Sequence, residues 1–331
     1  MKKIFILLLA ALMLISAVGC TETGVKEPQS VETVTQKPKD DPIEEPDDAD
    51  PTEADPTEDD ENPDDADPTE AEPAEVDEGP TEAPAGEVTV GEQVLVDEKD
   101  IRITLKSIEV DTWFGPELKV LIENDSDTDL TFTIKNACVN GYMNSASLYT
   151  QVAAGKKATD EITLSSSDLE ACGIETVASV DLSFNIHDDN YKDYLETDLV
   201  TVKTSADAWY DYTFDDSGKL AFEKKDVKIV VKGLTDESIF GPGVLFYVEN
   251  NSKKTVLITS DDVSVNGFMV SDLLYCTVLP GKHAIDASTL MESDLEDNDI
   301  EEIEEIEMTF RILDAGSWKT IAESDPVKIS F

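Results

Sequence analysis

Lys99-Asp100-Ile101-Arg102-Ile103-Thr104-Leu105 and Lys225-Asp226-Val227-Lys228-Ile229-Val230-Val231 are two versions of one phrase, a charged turn followed by apolar residues at every second position. A period of two places alternate side chains on opposite faces of an extended chain, which is the pattern of a half-buried β-strand. Working outward from these phrases, residues 97–188 align with 223–314 at a constant offset of 126 without a gap, and about a third of the paired positions are identical. Phe114-Gly115-Pro116 matches Phe240-Gly241-Pro242, Glu123-Asn124 matches Glu249-Asn250, and Val139-Asn140-Gly141 matches Val265-Asn266-Gly267. Further on, Leu148-Tyr149 matches Leu274-Tyr275, Gly155-Lys156 matches Gly281-Lys282, and Ser167-Asp168-Leu169-Glu170 matches Ser293-Asp294-Leu295-Glu296. A single insertion then sets Tyr191-Lys192 opposite Trp318-Lys319. Units of this length are duplicated domains, since stacking repeats run only about 20–50 residues.

Within each unit the punctuation is that of strands and tight turns. Leu118–Ile122 and Val244–Val248 are short apolar runs entered through Gly-Pro and left through Asn-Asp-Ser or Asn-Asn-Ser. Further strands are predicted near 129–139, 158–164, 179–187 and 194–203, with counterparts in the second copy, and Ser166–Glu170 reads as one capped helical turn. The expected fold class is all-β: two tandem immunoglobulin-like antiparallel β-sandwiches, at 88–206 and 207–331. A partly closed barrel is the alternative.

The order of these motifs resembles that of lipoprotein domains common in Gram-positive gut bacteria, which are themselves similar to the Ig-like domain of a secreted mycobacterial immunogenic antigen. The run in question is strand, Gly-Pro turn, strand ending Glu-Asn-Asn-Ser, Val-Asn-Gly-aromatic-Met, aliphatic-x-Pro-Gly-Lys, Ser-Asp-Leu-Glu, then an amphipathic strand. The resemblance covers roughly residues 90–331 and implies an Ig-like fold. It brings no activity and no catalytic residue with it.

Ahead of the repeats, Met1-Lys2-Lys3 precedes an uncharged apolar run from Ile4 to Val18. That run is short for a membrane span, which needs about 20 residues, and matches the plan of a secretory signal at 1–19. Ser16-Ala17-Val18-Gly19-Cys20 resembles the lipobox at which bacterial signal peptidase II cuts before a diacylated cysteine, with Ala17 where that motif most often carries leucine. Cys20 is therefore the expected lipid attachment site and the expected link to a membrane, since two acyl chains anchor durably where one does not.

Residues 20–87 follow as an expected disordered tether rich in Pro, Thr, Asp and Glu. Near-repeats such as Asp48-Ala49-Asp50-Pro51-Thr52-Glu53 and Asp65-Ala66-Asp67-Pro68-Thr69-Glu70 hold too little apolar surface to offset the entropy of ordering. Fully extended, Thr21 to Glu87 spans at most about 230 Å. Residues 40–87 carry 23 Asp and Glu and no Lys or Arg, and residues 88–331 carry 48 acids against 20 bases, out of a chain total of −49. Such a surface repels nucleic acid and anionic lipid heads, and argues against both as partners.

Few residues suggest chemistry. Asp125-Ser126-Asp127-Thr128-Asp129 opens like a calcium loop, but Leu130 and Asn136 stand where that loop needs Gly and Glu, and the second copy has Asn251-Ser252-Lys253-Lys254-Thr255. It reads as a solvated hairpin loop. His187 and His283 occupy non-equivalent positions without metal-ligand spacing and read as surface or strand-end residues. The acidic run from Ile300 to Met308 reads as a turn entering a core strand. Cys138, Cys172 and Cys276 are odd in number; Cys138 and Cys172 are within the same copy, but Ser264 and Asn298 replace them in the other, so a bridge there is optional to the fold.

No catalytic residue, metal or cofactor is expected, and the chain is not expected to be an enzyme. Trp113 is the one candidate ligand-binding residue, because its counterpart is Ile239 and the fold does not demand a ring there. Tyr142 and Phe268 are aromatic in both copies, which favours packing. The expected function is non-catalytic binding of an extracellular protein, peptide or polysaccharide by a lipid-anchored surface protein; the competing readings are a structural or protective envelope lipoprotein and, third, a hydrolase.

Overall fold

The strand phrases recur in the computed structural model of the chain, which describes residues 25–34, 87–235 and 240–331. The signal segment, Cys20 and most of the acidic stretch lie outside the described residues. The fold is all-β with antiparallel sheets. β1 is Ser30–Thr33. The first repeat supplies β2 (Gln93–Glu98), β3 (Ile101–Glu109), β4 (Glu117–Asn124), β5 (Leu130–Val139), β6 (Tyr142–Met143), β7 (Tyr149–Val152), β8 (Lys156–Thr163), β9 (Ser179–His187), β10 (Asp193–Glu196) and β11 (Val200–Lys203). The second supplies β12 (Lys219–Lys224), β13 (Val227–Thr235), β14 (Gly243–Asn250), β15 (Val256–Val265), β16 (Phe268–Met269), β17 (Asp272–Leu273), β18 (Cys276–Val278), β19 (Lys282–Leu290), β20 (Glu305–Asp314), β21 (Thr320–Glu323) and β22 (Val327–Ser330). Helices α1 (Ser166–Ala171) and α2 (Glu292–Asp297) occupy equivalent places. The span read as one strand at 194–203 is two short ones, β10 and β11, both paired with β9.

In the first repeat a four-stranded sheet, β2-β3-β4-β8, packs against a second sheet built on β5 and β9. The alternation explains the core: Ile101, Ile103 and Leu105 from one sheet meet Phe132, Leu182, Phe184 and Ile186 from the other in a single buried cluster. The second repeat repeats this with Val227, Ile229 and Val231 against Val265, Met308, Phe310 and Ile312. Burying these side chains is the dominant stabilising term, at about 25 cal/mol per Å² of apolar surface.

The turns that delimit the strands are duplicated too. Lys99-Asp100 and Lys225-Asp226 both take positive φ, as a two-residue hairpin turn requires. Gly115 (φ 120°) lies so close to the Leu164 carbonyl that a Cβ there would meet its oxygen at 2.1 Å, and Gly241 repeats the approach against Leu290 at 2.2 Å. Ser165 caps α1 by accepting from the Asp168 N–H, one residue before the predicted start, whereas Met291 offers α2 no such bond.

Two arrangements add to the expected tandem plan or depart from the expected tether. First, the sheets of the two repeats are joined. β6 pairs with β19, the one parallel pairing among the described residues, and produces an eleven-stranded sheet that passes from one repeat into the other. Second, the stretch 20–87, expected to be unstructured throughout, is ordered at residues 25–34. β1 pairs antiparallel with β22, Val31 packs on the second repeat's core, and Lys26 exchanges backbone hydrogen bonds with Leu234. The physical reason is the edge: β22 presents unpaired backbone groups, and a short segment with alternating Val31 and polar neighbours satisfies them.

Candidate functional site

Trp113 sits in the loop between β3 and β4, and that loop is held firmly. The Thr112 hydroxyl donates to the Gly115 carbonyl, Leu164 N–H donates to the Pro116 carbonyl at 2.9 Å, and Ser166 N–H donates to the Phe114 carbonyl at 3.2 Å. The backbone is thus stitched to the start of α1 while the two rings project outward, Trp113 84% exposed and Phe114 69%. Two neighbouring aromatic rings left in water on a pinned loop do nothing for the core and offer a contact surface. In the second repeat Phe240 is also exposed, and its carbonyl accepts from Glu292 N–H at 2.9 Å. The repeated Phe is therefore a repeated exposed tip, although its pairing across copies has the form of a packing signal.

The joint between the repeats is the second place where side chains converge. Tyr142, at the Asn140-Gly141 turn, is 1% exposed and surrounded by rings: Phe214 at 5.2 Å between centroids, Tyr212 and His283 at 5.8 Å, and Tyr247 at 6.3 Å. His283 stacks on Phe214 at 3.6 Å, its Nδ1 lies 2.7 Å from the Tyr247 hydroxyl, and its backbone N–H donates to the Gly141 carbonyl at 3.0 Å. Burial holds the His283 imidazole below its ordinary pKa, and holds the Tyr142 and Tyr247 hydroxyls above theirs. At the rim, Lys282 Nζ meets Asp181 Oδ2 at 2.5 Å, and the other oxygen of Asp181 accepts from Thr201. The reading of His283 as a surface or strand-end residue is corrected: it is a joint residue. His187, by contrast, ends β9 and stacks on the exposed Tyr191.

Beside the joint a cleft of about 250 Å³ is lined by Met143, Asp168, Tyr275, Cys276 and Asp286 among others. Burial raises the Asp286 carboxyl, which accepts from Ala287 N–H and interacts with the Cys276 thiol. Burial pushes Cys138 and Cys172 up to about 12, and Cys276 well above its usual value. Nucleophilic sulfur is thiolate, so these groups are poor nucleophiles where they stand. All three are free thiols: Cys138 packs on Met143 sulfur at 3.5 Å, while Cys172 closes α1 and receives the Tyr212 hydroxyl on its carbonyl. The optional bridge is not made.

The loop that opens like a calcium site is organised by its neighbour instead. Asn124, fully buried, donates to the Thr128 and Val152 carbonyls at 2.8 and 2.9 Å and accepts from both the N–H and hydroxyl of Ser126. Asn250 makes the same bonds to Lys254, Val278 and Ser252. Asp129 turns to the Ala154 N–H. No group of three or more His, Cys, Asp or Glu able to hold a metal occurs among the described residues.

The equivalents of the joint residues in the second repeat have a different fate. Phe268 and Met269 on β16 are 49% and 66% exposed. Leu273, Tyr275 and Trp318 are exposed on the same repeat, the last two with rings 6.1 Å apart. The signal that would have found the joint is the run Trp209-Tyr210-Asp211-Tyr212-Thr213-Phe214 between the repeats. Such aromatic density is out of place in a flexible connector.

No protein-family model matches the chain, and no curated protein matches it.

Proposed function

We propose that this chain is a lipid-anchored, extracytoplasmic protein that presents two immunoglobulin-like domains as one body for non-catalytic binding of a protein, peptide or polysaccharide. The observation that carries the reading is Trp113 beside Phe114, two rings left in water on a loop closed by one internal hydrogen bond and tied by two more to the segment that enters α1. A rigid loop loses little entropy when its rings are covered by a ligand. Burial holds the Cys138, Cys172 and Cys276 thiols well above their usual pKa, which disfavours chemistry at these sulfurs.

The anchor proposed at Cys20 gains a geometric consequence. β1 begins ten residues after it, within about 35 Å along an extended chain, so the second repeat is the one held near the lipid. The acidic residues 35–86 then connect the docked strand to the first repeat rather than setting both repeats at a distance.

Two measurements test the reading. Palmitate labelling is expected for the wild type and lost in Cys20→Ser. Binding to purified wall polysaccharide and to a surface-peptide array is expected to weaken at least tenfold in Trp113→Ala/Phe114→Ala, with the melting temperature unchanged. Binding unaffected by the double substitution overturns the site.

A further inference from the structure

We infer that the chain associates head to tail with further copies of itself, β16 of one copy adding to β8 in the next along the edge at Lys157, which no other strand covers among the described residues; the far end of that edge is bridged by Ser147 at Thr163. The joint inside the chain is the template. There, the β6 hairpin of the first repeat lies against β19 of the second. The duplication means that the chain carries each half of this joint twice, and uses each once. β16 is the second repeat's β6, and β8 is the first repeat's β19.

Both unused halves are preformed. Asn266 organises the β16 hairpin as Asn140 does β6: its side chain donates to the Glu302 carbonyl and accepts from Glu304 and Glu305 N–H, where Asn140 serves Thr176, Ala178 and Ser179. On the other half, Glu123 pairs with Lys157 in the register in which Glu249 pairs with His283. The Lys157 N–H therefore points away from β4 as the His283 N–H points away from β14, toward the place where the joint supplies a Gly141 carbonyl. Gly267 is the matching carbonyl.

The side chains agree in kind. Phe268 and Met269 repeat Tyr142 and Met143, and are exposed where their counterparts are covered. Leu121, half-buried, stands where Tyr247 receives the Tyr142 ring. The ion pair is retained in sign: Lys282 with Asp181 becomes Lys156 with Glu307, and among the described residues neither Lys156 nor Glu307 makes an ion pair within 4 Å. Because donor and acceptor are different surfaces, the contact does not close on itself, and copies add in a row.

Tyr212 and Phe214 of each copy are already engaged with Tyr142 at its own joint, so a contact between copies is weaker than the internal one. A small contact of this kind dissociates at roughly 10–500 µM in solution.

The test uses residues 20–331 with Cys20→Ser. Sedimentation is expected to show mass rising with concentration over that range, and Phe268→Asp to weaken association at least tenfold. Lys156→Glu is expected to weaken it, and Lys156→Glu/Glu307→Lys to restore it. Mixing a Phe268→Cys chain with a Lys157→Cys chain under mild oxidation is expected to link the two different chains. A monomer at every concentration overturns the proposal. So does self-linking of Phe268→Cys without the mixed product, which denotes a symmetric dimer. Since ligand binding through Trp113 is read separately, failure here leaves that reading standing.

Discussion

Tyr142 and Phe268 occupy the same aligned position, so replacing each by alanine isolates what the joint contributes. The Tyr142 ring is almost wholly buried and touches four others. An aromatic side chain buries about 150–250 Å², which at about 25 cal/mol per Å² gives roughly 4–6 kcal/mol as an upper limit. Measured aromatic-to-alanine changes in cores cost about 3–5 kcal/mol, including the cavity left behind. About 4 kcal/mol is therefore expected for Tyr142→Ala. Phe268 is half in water, so its transfer contribution is halved to about 2–3 kcal/mol as an upper limit and no enclosed cavity forms; about 2 kcal/mol is expected. Urea unfolding of both variants followed by tryptophan fluorescence measures the difference. Calorimetry adds a second readout: Tyr142→Ala is expected to separate the repeats into two transitions, since it removes the ring that ties Tyr247 and His283 to the first repeat. Equal losses for the two variants, or a single undisturbed transition in Tyr142→Ala, refute the claim that the joint couples the repeats.

Three further outcomes follow from buried polar groups. Asn124→Ala and Asn250→Ala are each expected to cost about 1–3 kcal/mol in urea unfolding, because each fully buried amide serves two carbonyls and a serine N–H that lose their partner. His283 is held below its ordinary pKa by burial, with Glu249 opposing that shift and Lys282 adding to it, so the unfolded chain takes up the proton first. Stability is expected to be full above about pH 7 and to fall as pH drops through about 6.5 toward the folded pKa, and His283→Gln is expected to flatten the slope between pH 7.5 and 5.5. Ellman's reagent at pH 8 is expected to leave Cys138, Cys172 and Cys276 unlabelled in the folded protein carrying Cys20→Ser, and to label all three in urea; rapid labelling of the folded protein contradicts their burial.

The strands and turns were legible in the chain because their causes are local. Alternation at Ile101, Ile103 and Leu105 puts three side chains on one face whatever lies opposite, and Asn140-Gly141 takes its positive φ without help from distant residues. The duplication was legible because it needs only comparison. Trp113, read as a ring the shared core does not require because its counterpart is Ile239, is exposed.

What the sequence by itself determined, then, is an all-β chain built twice from one plan. Only the tertiary structure decided how the two copies differ. Nothing in Val139-Asn140-Gly141-Tyr142-Met143 and Val265-Asn266-Gly267-Phe268-Met269 says that the first ring is buried and the second exposed, because that depends on which sheet edge each hairpin meets. The same holds for Ser30–Thr33, four residues in a polar stretch that become a strand only because the edge of β22, some three hundred residues away, is open to pair with them. Local patterns specify faces, and only the folded chain brings two faces or two edges together.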